Sequence, residues 1–277
     1  MSLIYEPSGK AHEYSPLALN VYSGCDHGCK YCYLPTMGQM AKSNTNLSLR
    51  PDFIRKLEKE LPISIHLEQI LLSFLCDPYN TQEPQHRQTR QALTLLKKHN
   101  RLVAILTKGG NRCLEDFDLI RSFGAMIKVG TTLTFNNPSD SSLYEPNAAP
   151  VKERILMLKS FHDAGIKTFV SIEPVIDPAQ SLDCIMQSLP WVDQYKIGKL
   201  NHDPAKERTI NWKKFLQDTL QIMRTNKKEF YIKDDLADYG RNLLNPGDTN
   251  AEKLTLKMPS SAFVRPPAPA LIQSLLF

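Results

Sequence analysis

No apolar run in the sequence is long enough to cross a membrane. The longest, Gln69–Cys76 and Leu102–Thr107, fall far short of the ~20 residues a spanning helix needs. Glycine is scarce, at 12 of 277 residues, which excludes collagen-like and Gly-rich low-complexity chains. No repeat of fixed period and no tract biased to one or two residue types is present. Six cysteines are too few for a disulfide scaffold. Neither sign of charge dominates: 34 Lys and Arg stand against 29 Asp and Glu, a net +5 compatible with a polyanionic partner without requiring one. Met1–Lys10 contains Glu6 and Pro7 and no long apolar stretch, so no signal peptide is expected and the cytoplasm is the expected compartment. A hydrophobic fraction of 42% excludes disorder and suffices for one large domain or two small ones.

The chain alternates short apolar runs with longer amphipathic ones. Leu17–Ser23, Gln69–Cys76, Leu102–Lys108, Ile127–Phe135, Thr168–Val175 and Gln194–Asn201 read as strands. Helical patterns lie between them: Pro51–Glu60, Arg87–His99, Cys113–Phe123, Val151–Ala164 and Ala179–Leu189. Pro51 suits a first helical position, Gly165 a C-terminal stop, and Pro190 blocks continuation. Strand then helix, repeated about six times, predicts parallel strands with right-handed crossovers, in a doubly wound sheet or a whole or partial barrel. A seventh unit, Trp212–Thr225 with Glu229–Leu236, is a further candidate. The expected division is a barrel domain over 1–245 and an extension over 246–277. The extension holds the Pro-rich Pro259–Pro269 and the apolar Ala270–Phe277, which read as a strap on the domain or an interface.

Three cysteines are close together. Cys25, Cys29 and Cys32 form C-x3-C-x2-C within SGCDHGCKYCYLP, after the first expected strand. Thiolates are soft ligands that suit zinc or iron–sulfur clusters. A structural zinc site wants four closed ligands, and the local candidate for a fourth is His27; unligated thiols are the other alternative. Three thiolates on one loop suit three corners of a cubane, with one iron open to an outside ligand.

This pattern, with Tyr31 just before the last cysteine, resembles the radical S-adenosylmethionine (SAM) enzymes. The resemblance implies a partial (β/α)6 TIM-type barrel carrying a [4Fe-4S] cluster on Cys25, Cys29 and Cys32. It implies SAM bound at the open iron and cleaved after one-electron reduction to a 5′-deoxyadenosyl radical, the electron coming from a flavodoxin- or ferredoxin-like donor. The cofactor carries the hard chemistry, and the protein orients the reactants and excludes water. A narrower similarity is to the spore photoproduct lyase-like branch. It is carried by Cys25, Cys29, Tyr31, Cys32, Tyr33 and Leu34, by YEPNAAPVKERI over Tyr144–Ile155, by ILTK ending at Lys108, and by SIEP ending at Pro174. Tyr31 and Tyr33 match tyrosines implicated there in hydrogen return. The strand-two cysteine of that branch aligns near Phe74, and Cys76, two residues on, is either its replacement or a buried structural cysteine.

Barrel enzymes place working groups at the C-terminal ends of strands. Those ends supply Cys76, Asp77 and Tyr79, then Lys108, Thr132 and Thr134, Glu173, and Lys199 with Asn201. The resemblance implies that the strand-two end (Cys76, Asp77) lies beside the SAM methionine, Lys108 near its carboxylate, and Thr132 or Thr134 near the ribose. Glu173 and Asn201 are further cofactor-site candidates, with Glu173 either binding adenosine or substrate or pairing with Lys108 or Arg154. Asp77 before Pro78 also reads as a turn residue, and Lys233 as a rim residue or a solvated charge. The histidines show no spacing for a second metal, and Cys113 and Cys184 none for a second cluster. The expected substrate is a nucleic-acid base or nucleotide, with which the basic runs Lys97–Lys98, Lys213–Lys214 and Lys227–Lys228 are consistent, although each also reads as a solvated face. A peptide or small metabolite is the alternative substrate, and a non-catalytic zinc- or cluster-binding protein the alternative class.

Overall fold

The computed structural model describes residues 2–35, 45–63 and 67–259. Among the described residues ten short strands are present: β1 Ile4–Tyr5, β2 Leu17–Leu19, β3 Ser23–Gly24, β4 Leu47–Ser48, β5 Ile70–Leu72, β6 Val103–Leu106, β7 Ile127–Thr132, β8 Lys167–Ile172, β9 Gln194–Ile197 and β10 Glu229–Ile232. Eight form one sheet in the order β1-β2-β5-β6-β7-β8-β9-β10. From β2 to β10 every pairing is parallel, while β1 is antiparallel to β2. The two end strands do not pair with each other. The sheet is therefore a partial barrel of the expected α/β class, and the candidate seventh unit supplies a seventh parallel strand.

Helices Phe53–Glu60, Gln88–Lys98, Val151–Asp163, Pro178–Ser188 and Trp212–Thr225 occupy the crossovers. Their apolar faces and the outward faces of the strands make one core, containing Leu57, Leu93, Phe161, Ile185 and Leu216. Three local expectations change. Pro51 precedes the first helix in a turn, because Asp52 takes a left-handed φ of 57°. The stretch expected as one helix over Cys113–Phe123 is a 3-10 segment, Gly110–Asp116, followed by the short helix Phe117–Arg121. The strand expected over Leu17–Ser23 stops at Leu19, because the Asn20 carboxamide oxygen accepts from the backbone N–H groups of Phe74 (3.0 Å) and Leu75 (2.9 Å) where a ladder would continue. Gly165 has φ +77° just after its helix, as its role as a stop requires.

Register defines the inside of the barrel. Leu71, Ala104 and Phe169 form a second, inner cluster with Tyr14, Phe74 and Leu106. Moving toward the C-terminal ends, Thr132, Ser171, Lys196 and Tyr231 pair across successive strands as one interior layer. Gly130 lies opposite Phe169, and a Cβ there would meet the Phe169 ring at 2.5 Å. Tyr14, which precedes β2, enters this interior. Its hydroxyl contacts Ser171 Oγ at 2.6 Å and donates to Glu173 Oε2 at 2.9 Å. Lys196 and Lys233 lie 5.0 and 4.9 Å from its ring centroid, cation–π distances. The N-terminal segment thus packs into the barrel interior, and Lys196 Nζ fixes it by donating to the carbonyls of Glu13 (3.0 Å) and Tyr14 (2.7 Å).

The opposite, N-terminal end of the sheet is covered by residues beyond Asn245. Leu256 N–H donates to Gln69 Oε1 at 3.0 Å and Lys128 Nζ to Leu254 O, while Ile232 N–H, at the C-terminal end of the edge strand β10, donates to Asp248 O at 2.8 Å. Leu254 is buried. This part of the expected extension packs as a strap; residues 260–277, which include most of the Pro-rich stretch and all of the apolar end, lie outside the described residues.

Burial, reinforced by the neighbouring Lys233 charge, pushes Lys196 down from 10.5 to about 7. Above the folded-state value the native amine sheds its proton while the unfolded chain keeps one, so unfolding takes up a proton and native stability rises with pH until the unfolded amine also titrates. The stability of the wild-type protein relative to Lys196→Met is expected to rise from pH about 7 to about 10, by up to about 1.4 kcal/mol per pH unit. Urea unfolding of both proteins across that range checks it; a difference that is flat or falls with pH contradicts it.

Candidate active site

The cysteine loop leaves β3 at the C-terminal end of the sheet, between β3 and its antiparallel partner β4. Cys29 is buried, Cys25 and Cys32 are half-buried, and no disulfide joins any of the six cysteines. Burial, then the nearby Asp77 carboxylate, pushes the Cys25 thiol up to about 12; burial also raises Cys32. Protonation is thus favoured until a cationic metal stabilises the thiolates.

A loop this irregular needs external partners for its backbone, and YEPNAAP, after β7, supplies several. Lys30 N–H donates to Tyr144 O at 2.9 Å, Asn147 N–H to His27 O at 3.2 Å, and Asn147 Nδ2 to Asp26 O at 2.8 Å. Gly28, at φ +64°, makes the close turn that this contact requires; a Cβ there would lie 3.3 Å from Pro146.

Beneath the loop lies a buried ionic cluster. Glu145 and Arg154 have fully buried side chains and pair at 2.6 Å. Arg154 also donates to Ala149 O at 2.7 Å and Thr132 O at 3.0 Å, which ties the brace to the end of β7. Tyr31 OH donates to Glu145 Oε1. Lys108 Nζ lies 2.9 Å from the Tyr31 hydroxyl, 3.3 Å from Cys29 Sγ and 3.5 Å from Glu145 Oε1. Burial alone would raise the Glu145 carboxyl, but Arg154 and Lys108 outweigh it and hold the group at about 2. Burial likewise opposes the Lys108 charge, and Cys29, Tyr31 and Glu145 reverse its effect, raising Lys108 well above the lysine range.

Asp77 ties two strand ends to the loop. Its Oδ1 accepts from Tyr79 N–H (2.8 Å) and Thr107 Oγ1 (2.5 Å), and its Oδ2 from Lys108 N–H (2.7 Å). His27 Nδ1 is 3.5 Å from Oδ2, and His27 Nε2 is 3.3 Å from Arg112 Nη2. Both histidine nitrogens are therefore turned onto Asp77 and Arg112. Among the described residues, no three His, Cys, Asp or Glu side chains gather as ligands to a single ion.

The remaining candidates fall into two groups. On the β2–β5 side, Tyr33 OH donates to Phe74 O at 2.6 Å, and Cys76 Sγ accepts from Tyr22 N–H at 3.4 Å. Burial, then the Cys32 and Cys76 sulfurs among its neighbours, raises the Tyr33 phenol. Burial pushes Cys76 up to about 11, and its side chain packs in the outer core. On the β8–β10 side, Glu173 Oε1 accepts from Asn201 Nδ2 at 3.2 Å, and Oε2 accepts from Lys233 Nζ at 2.8 Å. Lys233 also lies 3.1 Å from Glu13 Oε2, and Lys10 bridges Asn201 Oδ1 (2.7 Å) and Asp235 Oδ2 (2.5 Å). Gly198 makes room: a Cβ there would come 2.8 Å from Glu173 and 3.0 Å from Lys233. Thr132 faces the interior opposite Ser171. Thr134 is fully buried, and its hydroxyl has no hydrogen-bond partner among the described residues. Glu173 pairs with Lys233 rather than with Lys108 or Arg154, and Lys199 pairs with Glu207. Lys233 is 2% exposed, a network member and not a solvated charge.

Sequence reasoning left Tyr14, Glu13 and Lys10 out of the site. They come from a segment without periodicity, and only the folded chain brings Tyr14 to Ser171 and Glu173. Glu145 and Arg154 stood inside a quoted motif but received no role as a pair; an acid and a base nine residues apart across a loop–helix junction were the available signal.

The donor set fits the cofactors that the sequence pattern implies. Three thiols share the mouth loop, and the His27 ring is engaged elsewhere, so a fourth cluster position is left to an outside ligand. Thr132, Ser171, Glu173, Asn201 and Lys233 give the adjoining interior the hydroxyl, carboxylate and ammonium groups that a polar zwitterionic cofactor can engage. The architecture defines an α/β partial barrel with a three-thiol loop at its C-terminal mouth.

The Radical SAM superfamily model matches residues 19–192, and the chain belongs to that superfamily. It is 29% identical over 200 residues to the uncharacterized protein MJ0683 of Methanocaldococcus jannaschii, covering 68% of this chain and 72% of that one. Among solved structures, spore photoproduct lyase is similar in fold, with TM-score 0.61 and 10% identity over 82% of this chain and 78% of that one. Streptococcus suis SuiB bound to S-adenosylmethionine is similar at TM-score 0.57 and 12% identity over 82% of this chain; the match spans about half of SuiB, 52%.

Two outcomes follow from this geometry. Arg154→Met leaves the Glu145 charge buried without its main partner and is expected to cost about 3–5 kcal/mol in urea unfolding; a loss near zero contradicts the pairing. Asp77→Asn turns one acceptor atom toward donors and is expected to lower the iron bound after reconstitution while far-ultraviolet circular dichroism stays unchanged; full iron loading contradicts the anchoring role.

Proposed function

We propose that the protein binds a [4Fe-4S] cluster through Cys25, Cys29 and Cys32 and directs radical SAM chemistry to a nucleic-acid base or nucleotide. The braced three-thiol loop at the barrel mouth is the observation that carries this reading. The bound cofactors supply reductive cleavage of SAM to a 5′-deoxyadenosyl radical, which abstracts hydrogen from the substrate. Asp77 and the Tyr144–Pro150 brace hold the loop, while Glu145 and Arg154 hold Tyr31 and Lys108 beneath it. Thr132, Glu173 and Asn201 offer hydrogen-bonding groups to SAM. Tyr33 and Cys76 stand for hydrogen return: burial keeps the Cys76 sulfur protonated at neutral pH, the form that carries a transferable hydrogen atom.

The nucleobase assignment is supported by the motifs shared with the spore photoproduct lyase-like branch and by likeness of fold to a lyase solved with dinucleoside spore photoproduct. SuiB, of comparable likeness, was solved with its precursor peptide SuiA, which favours a peptide as the second reading. The electron donor in this proposal is flavodoxin- or ferredoxin-like, in the cytoplasm.

Anaerobic reconstitution with iron and sulfide, followed by dithionite and SAM, is expected to yield 5′-deoxyadenosine by mass spectrometry. A Cys25→Ala/Cys29→Ala/Cys32→Ala variant is expected to yield none above background. DNA oligonucleotides, intact or ultraviolet-irradiated, are expected to accelerate formation where peptides do not. Equal yield from the triple variant would overturn the chemistry; acceleration by peptides alone would overturn the substrate class.

A further inference from the structure

Lys108 has little freedom in its backbone. Its N–H donates to Asp77 Oδ2 at 2.7 Å, and its carbonyl accepts from Ala149 N–H at 2.9 Å. The side chain therefore leaves the end of β6 from a fixed point and delivers Nζ beneath the cysteine loop, with its side chain only 17% exposed. There the ammonium faces three acceptors: Cys29 Sγ at 3.3 Å, the Tyr31 hydroxyl at 2.9 Å and Glu145 Oε1 at 3.5 Å. It also lies 4.8 Å from the Tyr31 ring centroid. The resemblance implies the SAM carboxylate as a partner of Lys108; within the chain the same ammonium reaches a cysteine of the cluster motif.

A donor and a positive charge beside a ligating sulfur stabilise the more electron-rich state of an iron–sulfur centre, and burial keeps water from screening the effect. Glu145 works against it. Its carboxylate, shared with Arg154 and Tyr31, draws on the same ammonium and adds a negative charge nearby.

We infer that Lys108 is a positioning residue that sets how readily the cluster accepts an electron, acting through the Cys29 sulfur with Glu145 as its counterweight. This rests on the radical SAM reading of the site. It predicts shifts of opposite sign: Lys108→Met makes the cluster harder to reduce, and Glu145→Gln makes it easier, because the ammonium then faces the sulfur without a competing charge. Lys108→Arg keeps the cation and most of the wild-type behaviour.

The experiment is a mediated potentiometric titration followed by electron paramagnetic resonance, on reconstituted full-length protein without SAM. The expected order of midpoint potentials is Lys108→Met lowest, wild type and Lys108→Arg together, and Glu145→Gln highest. If Lys108 only balanced the buried Glu145 charge, Lys108→Met would lose thermal stability at an unchanged potential, and that result overturns the inference. Should Lys108→Met fail to hold a cluster, Glu145→Gln decides alone, and an unchanged or lower potential overturns it. Absence of any reducible cluster in the wild type would instead overturn the cofactor reading itself.

Discussion

A carboxylate with no access to water must find cations, and the mouth of this barrel is arranged around that requirement at Glu145. Arg154 supplies one charge from the following helix, and Lys108 another from the end of β6. Because Arg154 also holds the Thr132 and Ala149 carbonyls, satisfying the acid fixes the course of the chain after β7. Because Tyr31 donates to the same carboxylate, it also fixes an aromatic within the cysteine motif. The thiol loop has only a two-residue strand at its start; its shape is borrowed from this cluster and from the YEPNAAP backbone. A buried pair of this kind is weak evidence for net stability. What it supplies here is placement.

The β/α alternation was legible because five of the crossover helices are long and amphipathic, and the strands are buried on both faces as parallel strands are. Legibility failed where elements are two residues long, as in β1, β3 and β4, or where a side chain replaces a ladder, as at Asn20. At the site, the thiols could be read from spacing alone, and strand ends located Asp77, Lys108, Glu173 and Asn201. The direction of each side chain could not be read. Asp77 turns out to face backbone donors, a turn and strand-end anchor of the kind its place before Pro78 allowed. Glu173 faces Lys233, whose depth in the interior no periodicity could report, since β10 is short and its position depends on register with β9.

The open barrel poses a second problem, how to fill an interior that a closed barrel would pack by itself. The chain uses its own N-terminal segment, placing Tyr14 among Ser171, Glu173, Lys196 and Lys233, while residues 254–256 cover the far end through Lys128 and Gln69. Polar and charged groups dominate the upper interior, and Glu173, Lys196 and Lys233 each find partners within the chain. The mouth is thus set in place partly by the N-terminal segment, and the strand ends alone would not specify it.

Gly198 gives this arrangement a tight inner boundary. With Glu173 and Lys233 both packed against the space where its side chain would be, even one added methyl group would have to move their side chains aside. At rim positions such as Lys10 and the exposed His202, by contrast, a new side chain meets solvent first and need not displace a packed neighbour.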